Sequence, residues 1–60
     1  MTFAGKLKIG DRVNGHEQGL LTVKRIVKSW RGLVVEYDAP HLKRTVVKTY
    51  RPEELIDTIR

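Results

Sequence analysis

Hydrophobic residues recur in short alternating runs, and Gly or Pro residues separate these runs. The clearest run covers residues 33–37, where Leu33, Val35 and Tyr37 share one face of an extended chain. A period of two is typical of a half-buried β-strand. Seven Val, four Ile and five Thr add a composition that favours strands. The pattern therefore predicts an all-β domain.

Four strands follow from the runs and their turn signals. They are predicted at Lys8–Val13, Leu20–Lys28, Leu33–Tyr37 and Leu42–Tyr50. The connections are Asn14-Gly15 with the loop to Gly19, a hairpin tip at residues 29–32 and a turn at residues 38–41. Gly32 is free to adopt the positive φ that the hairpin tip favours. Short strands divided in this way are typical of a small barrel.

In two of the predicted strands the hydrophobic residues do not all fall on one face. In the second, Val23 and Ile26 differ in parity, and a β-bulge at residues 24–25 would bring both onto one face. In the fourth, Val46 and Val47 are adjacent and opposed, so the pattern leaves the buried face open.

The tail from Arg51 to Arg60 has two interpretations. Pro52 suits the first turn of a helix, and Glu53 and Glu54 suit the positive end of its dipole. Alternatively, a single 3₁₀ turn over Pro52–Leu55 leads into a closing strand over Ile56–Ile59. We favour the turn and strand.

Length, cysteine content and charge exclude several classes of protein. Sixty residues make one small domain over residues 1–60, with residues 1–6 as a candidate loose N-terminus. The chain has no Cys, which excludes disulfides and thiolate metal sites. No apolar run approaches the roughly 18 residues of a membrane span. Twelve Lys and Arg against seven Asp and Glu give a net charge of +5. We expect an intracellular protein, cytoplasmic or nucleoid-associated, with no membrane partner.

The basic residues are concentrated in the middle of the chain. Eight of the twelve lie between positions 24 and 51, where only two acidic residues stand among them. In a strand, Lys24 and Lys28 point the same way, and so do Arg44 and Lys48. On neighbouring strands these pairs would form one basic stripe that neutralises phosphates. The alternative is a solvated outer face that keeps a small barrel soluble and guards its edges.

Trp30 is the only Trp and is predicted at the hairpin tip, between Ser29 and Arg31 with Lys28 close by. An aromatic ring among cations can stack on a base or enter a groove while the cations hold phosphates. It can also anchor a protein interface. A third alternative is that the ring folds back over the barrel end into the core.

The sequence contains few residues in patterns that are typical of an active site. His16 and His41 could meet in space, but a metal site needs a third ligand, and two exposed loop histidines are the simpler interpretation. No Gly-rich phosphate loop and no nucleophile elbow is present. We therefore expect a non-enzymatic protein without cofactor or metal.

Several short motifs resemble known small barrels. They are Gly10-Asp11-Arg12-Val13, then Gly19 and Val23, Val34-Val35-Glu36-Tyr37 and Glu53-Glu54-Leu55. Together they resemble the Tudor-like and KOW-like barrels of bacterial nucleic-acid machinery. The resemblance implies a five-stranded SH3-like barrel with a short helical turn before the C-terminal strand.

Local segments show weaker likenesses. Lys28-Ser29-Trp30-Arg31 is similar to the seven-kilodalton archaeal chromatin proteins, whose Trp hairpin lies on DNA. The segment Tyr50-Arg51-Pro52-Glu53-Glu54 is similar to one in chromodomains. The motif at residues 10–13 also resembles part of a plasmid-type dihydrofolate reductase, which builds one shared active site at the centre of an oligomer.

The sequence thus favours a nucleic-acid-binding module, with DNA preferred over RNA and duplex DNA foremost. The candidate site residues are Lys24, Lys28, Trp30, Arg31, Arg44 and Lys48. The alternative is an adaptor that binds a protein of the transcription or repair machinery, or a peptide tail, in a pocket of Trp30, Tyr37 and Tyr50. A further alternative is a small homo-oligomer, with the sheet edge or Phe3, Trp30 and Tyr50 at its interface.

Overall fold

The computed structural model describes residues 1–59, and strands dominate it. The strands are β1 (Thr2–Phe3), β2 (Arg12–Asn14), β3 (Leu20–Ser29), β4 (Gly32–Ala39), β5 (Arg44–Tyr50), β6 (Leu55–Ile56) and β7 (Thr58–Ile59). Two 3₁₀ turns, Ala4–Lys6 and His16–Gln18, are the only helices in this part of the chain. Neither is long enough to cross a membrane. The prediction of a mainly β domain is confirmed.

Five of the strands form one antiparallel sheet in the order β5-β4-β3-β2-β7. The long hairpin of β3 and β4 makes its centre. The pairing of β3 with β4 shifts register between Val23 and Arg25, which confirms the predicted bulge. The shift places Val23 opposite Tyr37 and Ile26 opposite Val35, so all four residues lie on one face.

That face, the core face, carries the buried side chains of the sheet. On β4 they are Leu33, Val35, Tyr37 and Ala39; on the neighbouring strands they are Val13, Leu21, Val23 and Val46. Ala4, Leu7 and Ile56 from the two ends of the chain complete the core. The structure therefore identifies the buried face of the fourth predicted strand, which the sequence pattern left open: Val46 is buried, and Val47 is exposed on the opposite face.

Two predicted strands are shorter in the structure because turns replace their first residues. The first begins at Arg12 rather than Lys8, because the Asp11 carboxylate accepts a hydrogen bond from the Lys8 amide at 2.9 Å. The fourth begins at Arg44 rather than Leu42. There the amide of Leu42 donates to the carbonyl of Ala39 at 3.0 Å, which continues the turn.

The N-terminus is not a loose end. Strand β1 pairs with β6, and the amide of Ala4 donates to the carbonyl of Glu54 at 2.8 Å. Ala4 itself is buried, so the first residues close one side of the core. These contacts join residues fifty or more positions apart and have no local signal in the sequence.

Residues 51–59 form a turn and two short strands, as favoured, and no helix, with Leu55 already in β6 rather than in the turn. The amide of Glu54 donates to the carbonyl of Arg51 at 3.0 Å, which closes the turn around Pro52. The predicted closing strand is divided in two: β6 pairs with β1, and β7 pairs with β2. Within residues 1–59 the two sheets are not closed into one barrel, and β5 and β7 are the edges of the larger sheet.

Candidate nucleic-acid interface

The tip of the β3–β4 hairpin is a two-residue loop, Trp30-Arg31, between the paired residues Ser29 and Gly32. Gly32 has φ +131°, and a Cβ built on it would lie 2.5 Å from the carbonyl oxygen of Tyr50. The Ser29 hydroxyl donates to the Gly32 carbonyl at 3.1 Å and accepts from the Arg31 amide at 3.3 Å. The backbone of the tip is therefore held by its own hydrogen bonds and by the glycine.

Trp30 lies on the surface, with 88% of its area exposed. The guanidinium carbon of Arg31 stands 4.7 Å from the centroid of its ring, a cation–π contact. Of the alternatives left open by the sequence, burial of the ring in the core is wrong. The tip instead presents a large aromatic ring and a cation together to solvent.

Lys28 lies beside the tip on the core face, because it pairs with buried Leu33. Its own side chain is exposed at the end of the sheet. It lines a cleft of about 280 Å³ whose other walls include Gly5 and Pro52. A cation thus stands at the mouth of a small groove that reaches the base of the hairpin tip.

On the edge strand β5, Arg44 and Lys48 share one side, as predicted. They pair with Ala39 and Val35 of β4, both buried, so their Cβ atoms are on the core face. They are four positions apart, which corresponds to about 13 Å along a strand. Lys48 pairs with Val35 of β4, and Lys28 pairs with Leu33, two residues away on the same strand. Because β4 lies between β3 and β5, the two lysines are separated across the sheet by two strand spacings, about 10 Å.

Lys24 does not join this group, and the prediction that Lys24 and Lys28 point the same way is wrong. The bulge lies between them and reverses the parity of one relative to the other. The Lys24 ammonium donates to the hydroxyl of Thr45 at 3.0 Å across the outer face of the sheet. Arg25 shares that face and pairs with Glu36 at 3.5 Å. The basic residues are therefore divided between two faces.

Arg51 is a neighbour of the tip that the sequence did not single out as a site residue. The carbonyl of Tyr50, the residue before it, lies against Gly32. The carboxylate of Glu54 accepts a hydrogen bond from the Arg51 amide at 3.2 Å, which fixes the backbone here. Nothing local in the sequence indicates this closeness, because it depends on the register of β4 with β5.

Tyr37 and Tyr50 do not form an aromatic pocket with Trp30. Tyr37 is wholly buried, and its hydroxyl donates to the Tyr50 hydroxyl at 3.0 Å. Burial, reinforced by that hydrogen bond, raises the pKa of Tyr37 far above its ordinary value. Burial also raises the pKa of Tyr50, with the Glu54 carboxylate adding to the rise and the bond from Tyr37 opposing it. The pair is a neutral polar link inside the fold.

The histidines lie near one turn. The ring of His41 lies against Gly19, whose amide donates to the carbonyl of His16 at 3.0 Å. Among residues 1–59, no three His, Asp or Glu side chains are grouped so that they could hold a metal ion.

A second exposed apolar surface lies at the N-terminal side. Phe3 pairs with Leu55 across β1 and β6, and both side chains are about half exposed. Phe3 also lines a shallow groove of about 420 Å³ with Lys6, Pro52 and Glu53. From the sequence, Phe3 is predicted only as a residue of an oligomer interface.

The tip therefore combines an exposed ring with Arg31 of the loop and Lys28 of β3, and the comparisons add nothing to this geometry. Comparison of the chain with protein families, with curated proteins and with solved structures finds no match.

Proposed function

We propose that this domain is a non-enzymatic nucleic-acid-binding module that contacts phosphates with little sequence preference. The observation that carries the proposal is the hairpin tip, where Trp30 is 88% exposed beside Arg31. Lys28 flanks the tip, and Lys48 and Arg44 continue on the same face along β5. A ring among cations is suited to nucleic acid, because the cations neutralise phosphates while the ring contacts bases.

An SH3-like barrel is the fold that we propose with this function. The antiparallel order β5-β4-β3-β2, the bulged long strand and the turn before the last strands support it. A curved sheet of this kind would present the β3–β4 tip and the β5 edge to one ligand.

The test is a titration of duplex DNA, single-stranded DNA and RNA over a series of salt concentrations. Four cations on one surface predict a slope of log K against log salt of roughly −3 to −4 on duplex DNA. Lys28→Gln with Lys48→Gln should flatten that slope by about two units and weaken all sequences alike.

The matched control removes the same charge from the outer face. Lys24→Gln with Arg25→Gln should leave the slope nearly unchanged, because both side chains are engaged on that face. If the two double variants have equal effects, the interface is not the one described. Absence of binding at low salt contradicts the proposed function itself.

A second candidate function is protein binding, as an adaptor for an extended peptide. It rests on the half-exposed pair of Phe3 and Leu55 and on the groove beside them. Peptide recognition commonly uses apolar grooves of this kind. Salt-independent capture of a peptide that Phe3→Ala abolishes would favour it over nucleic-acid binding.

A further inference from the structure

The two faces of the Trp30 ring differ. The guanidinium of Arg31 lies over the ring at 4.7 Å from its centroid, so one face is occupied by a cation. A flat guanidinium can cover only the face on which it stacks. The ring nevertheless keeps 88% of its area exposed, so its other face is open to solvent.

The tip is also preorganised. Hydrogen bonds from and to the Ser29 hydroxyl hold the loop backbone, and Gly32 fits closely against Tyr50. A ring on such a loop loses little backbone freedom when it binds, which favours affinity. Lys28 is on β3 two residues before the loop, and Arg51 directly follows Tyr50, whose carbonyl lies against Gly32, so a cation stands on each side of the tip.

We propose that the open face of Trp30 stacks on an unpaired base, so that single-stranded nucleic acid is the preferred ligand; this inference rests on the proposed function. The arrangement is a three-layer stack of Arg31, Trp30 and base. A base within a duplex has both faces covered, and reaching one face requires unfavourable unstacking. An unpaired base offers its face without that cost, and every base has such a face, so sequence matters little.

The experiment compares three probes of equal phosphate number: an oligothymidine, an abasic strand of the same length and a duplex. We expect the oligothymidine to quench Trp30 fluorescence and the abasic strand to bind without quenching. Trp30→Ala should lower oligothymidine affinity by roughly 5- to 150-fold, the range for one stacked base. It should leave binding of the abasic strand unchanged.

Two further variants make the result specific. Trp30→Phe keeps a smaller ring and should recover part of the lost affinity. Ile9→Ala removes another strongly exposed apolar side chain, 72% accessible, from a turn that hydrogen-bonds to Val23, on the far side of the bulge from the tip. It should bind all three probes as the natural chain does.

The outcomes separate the inference from the function on which it rests. Equal, salt-dependent binding of the oligothymidine and the abasic strand, with no effect of Trp30→Ala, overturns the stacking and leaves phosphate binding intact. Preference for the duplex, lost in Trp30→Ala, also overturns it, because the ring then acts as a wedge. Failure of every probe to bind at low salt overturns both.

Discussion

The two ends of the β3–β4 hairpin are built from similar residues but are used differently. At the base, Val23 and Tyr37 face each other and are 1% and 0% exposed. Beyond the bulge, Val27 lies on the outer face and is 38% exposed, and Trp30 in the tip loop is 88% exposed. The same two strands therefore supply buried side chains on the core face and a solvent-exposed tip. We therefore predict that substitutions on the core face lower stability, whereas substitutions in the tip leave it nearly unchanged.

The largest expected difference is between two valines on the same strand. Val23→Ala removes two buried methyl groups and should lower the free energy of unfolding by about 2–3 kcal/mol. Val27→Ala removes the same groups from a partly exposed site and should change it by about 0.5 kcal/mol or less. Urea unfolding of both variants measures the difference. Equal losses would mean that the outer face at Val27 is packed as tightly as the core face at Val23.

Gly32→Ala tests whether the tip depends on its glycine. Its φ of +131° is strained for any other residue, and the new Cβ would lie 2.5 Å from the Tyr50 carbonyl oxygen. Strain of this kind costs about 1–3 kcal/mol. Gly10→Ala is the matched control, because Gly10 has φ +95° but nothing within 4 Å of the new Cβ. Urea unfolding measures both variants. If Gly32→Ala lowers the free energy of unfolding no more than Gly10→Ala does, β5 moves away from the new Cβ without loss of stability.

Tyr37, near the base of the hairpin, is hydrogen-bonded to Tyr50, which lies beside the tip. The pH dependence of stability tests this tyrosine pair. Both pKa values are raised in the folded chain, chiefly by burial. Unfolded tyrosines lose their protons near pH 10, so above about pH 10 the unfolded state binds fewer protons than the folded state. This contribution to stability is therefore complete below pH 10. It falls above pH 10 by up to about 1.4 kcal/mol per pH unit for each tyrosine that stays protonated.

Tyrosinate absorbance separates this effect from the titration of lysines. In the folded chain the absorbance should rise only together with unfolding, whereas the urea-unfolded chain should titrate near pH 10. Tyr50→Phe leaves one titrating tyrosine and should reduce the tyrosine part of the slope. Tyrosinate formation at pH 10 in a chain that remains folded contradicts the prediction.

Much of the fold follows from periodicity, and the errors have local causes. The alternation of Leu33, Val35 and Tyr37 is enough to place β4, and the parity of Val23 and Ile26 is enough to place the bulge. The assignment of Lys24 and Lys28 to one face ignores that bulge, since one inserted residue reverses every later side chain. The pairing of β1 with β6 could not be predicted, because it joins distant ends without a local pattern.

The candidate site was less predictable than the fold. Composition and spacing identify Trp30, Arg31 and Lys28 as neighbours in the chain. They do not decide whether a ring in a two-residue loop turns toward the core or toward solvent, since that depends on packing from other strands. The closeness of Arg51 to the tip depends likewise on the register of β4 with β5.

The smallest expected effect on stability is that of Trp30→Ala, although the change removes the largest side chain in the protein. With 88% of its area exposed, the ring loses little contact with the fold when it is removed, and its partner Arg31 returns to water. The free energy of unfolding should change by no more than about 0.5 kcal/mol. Core aromatic residues lose about 3–5 kcal/mol in the same substitution, so the two cases are easily distinguished. Thermal unfolding of the variant beside the natural chain measures the change, and native fluorescence provides an independent check because Trp30 is the only indole. Emission typical of a solvent-exposed indole is expected before ligand is added. Blue-shifted emission together with a large loss of stability would place the ring in the core and leave the cations of β3 and β5 as the only binding groups.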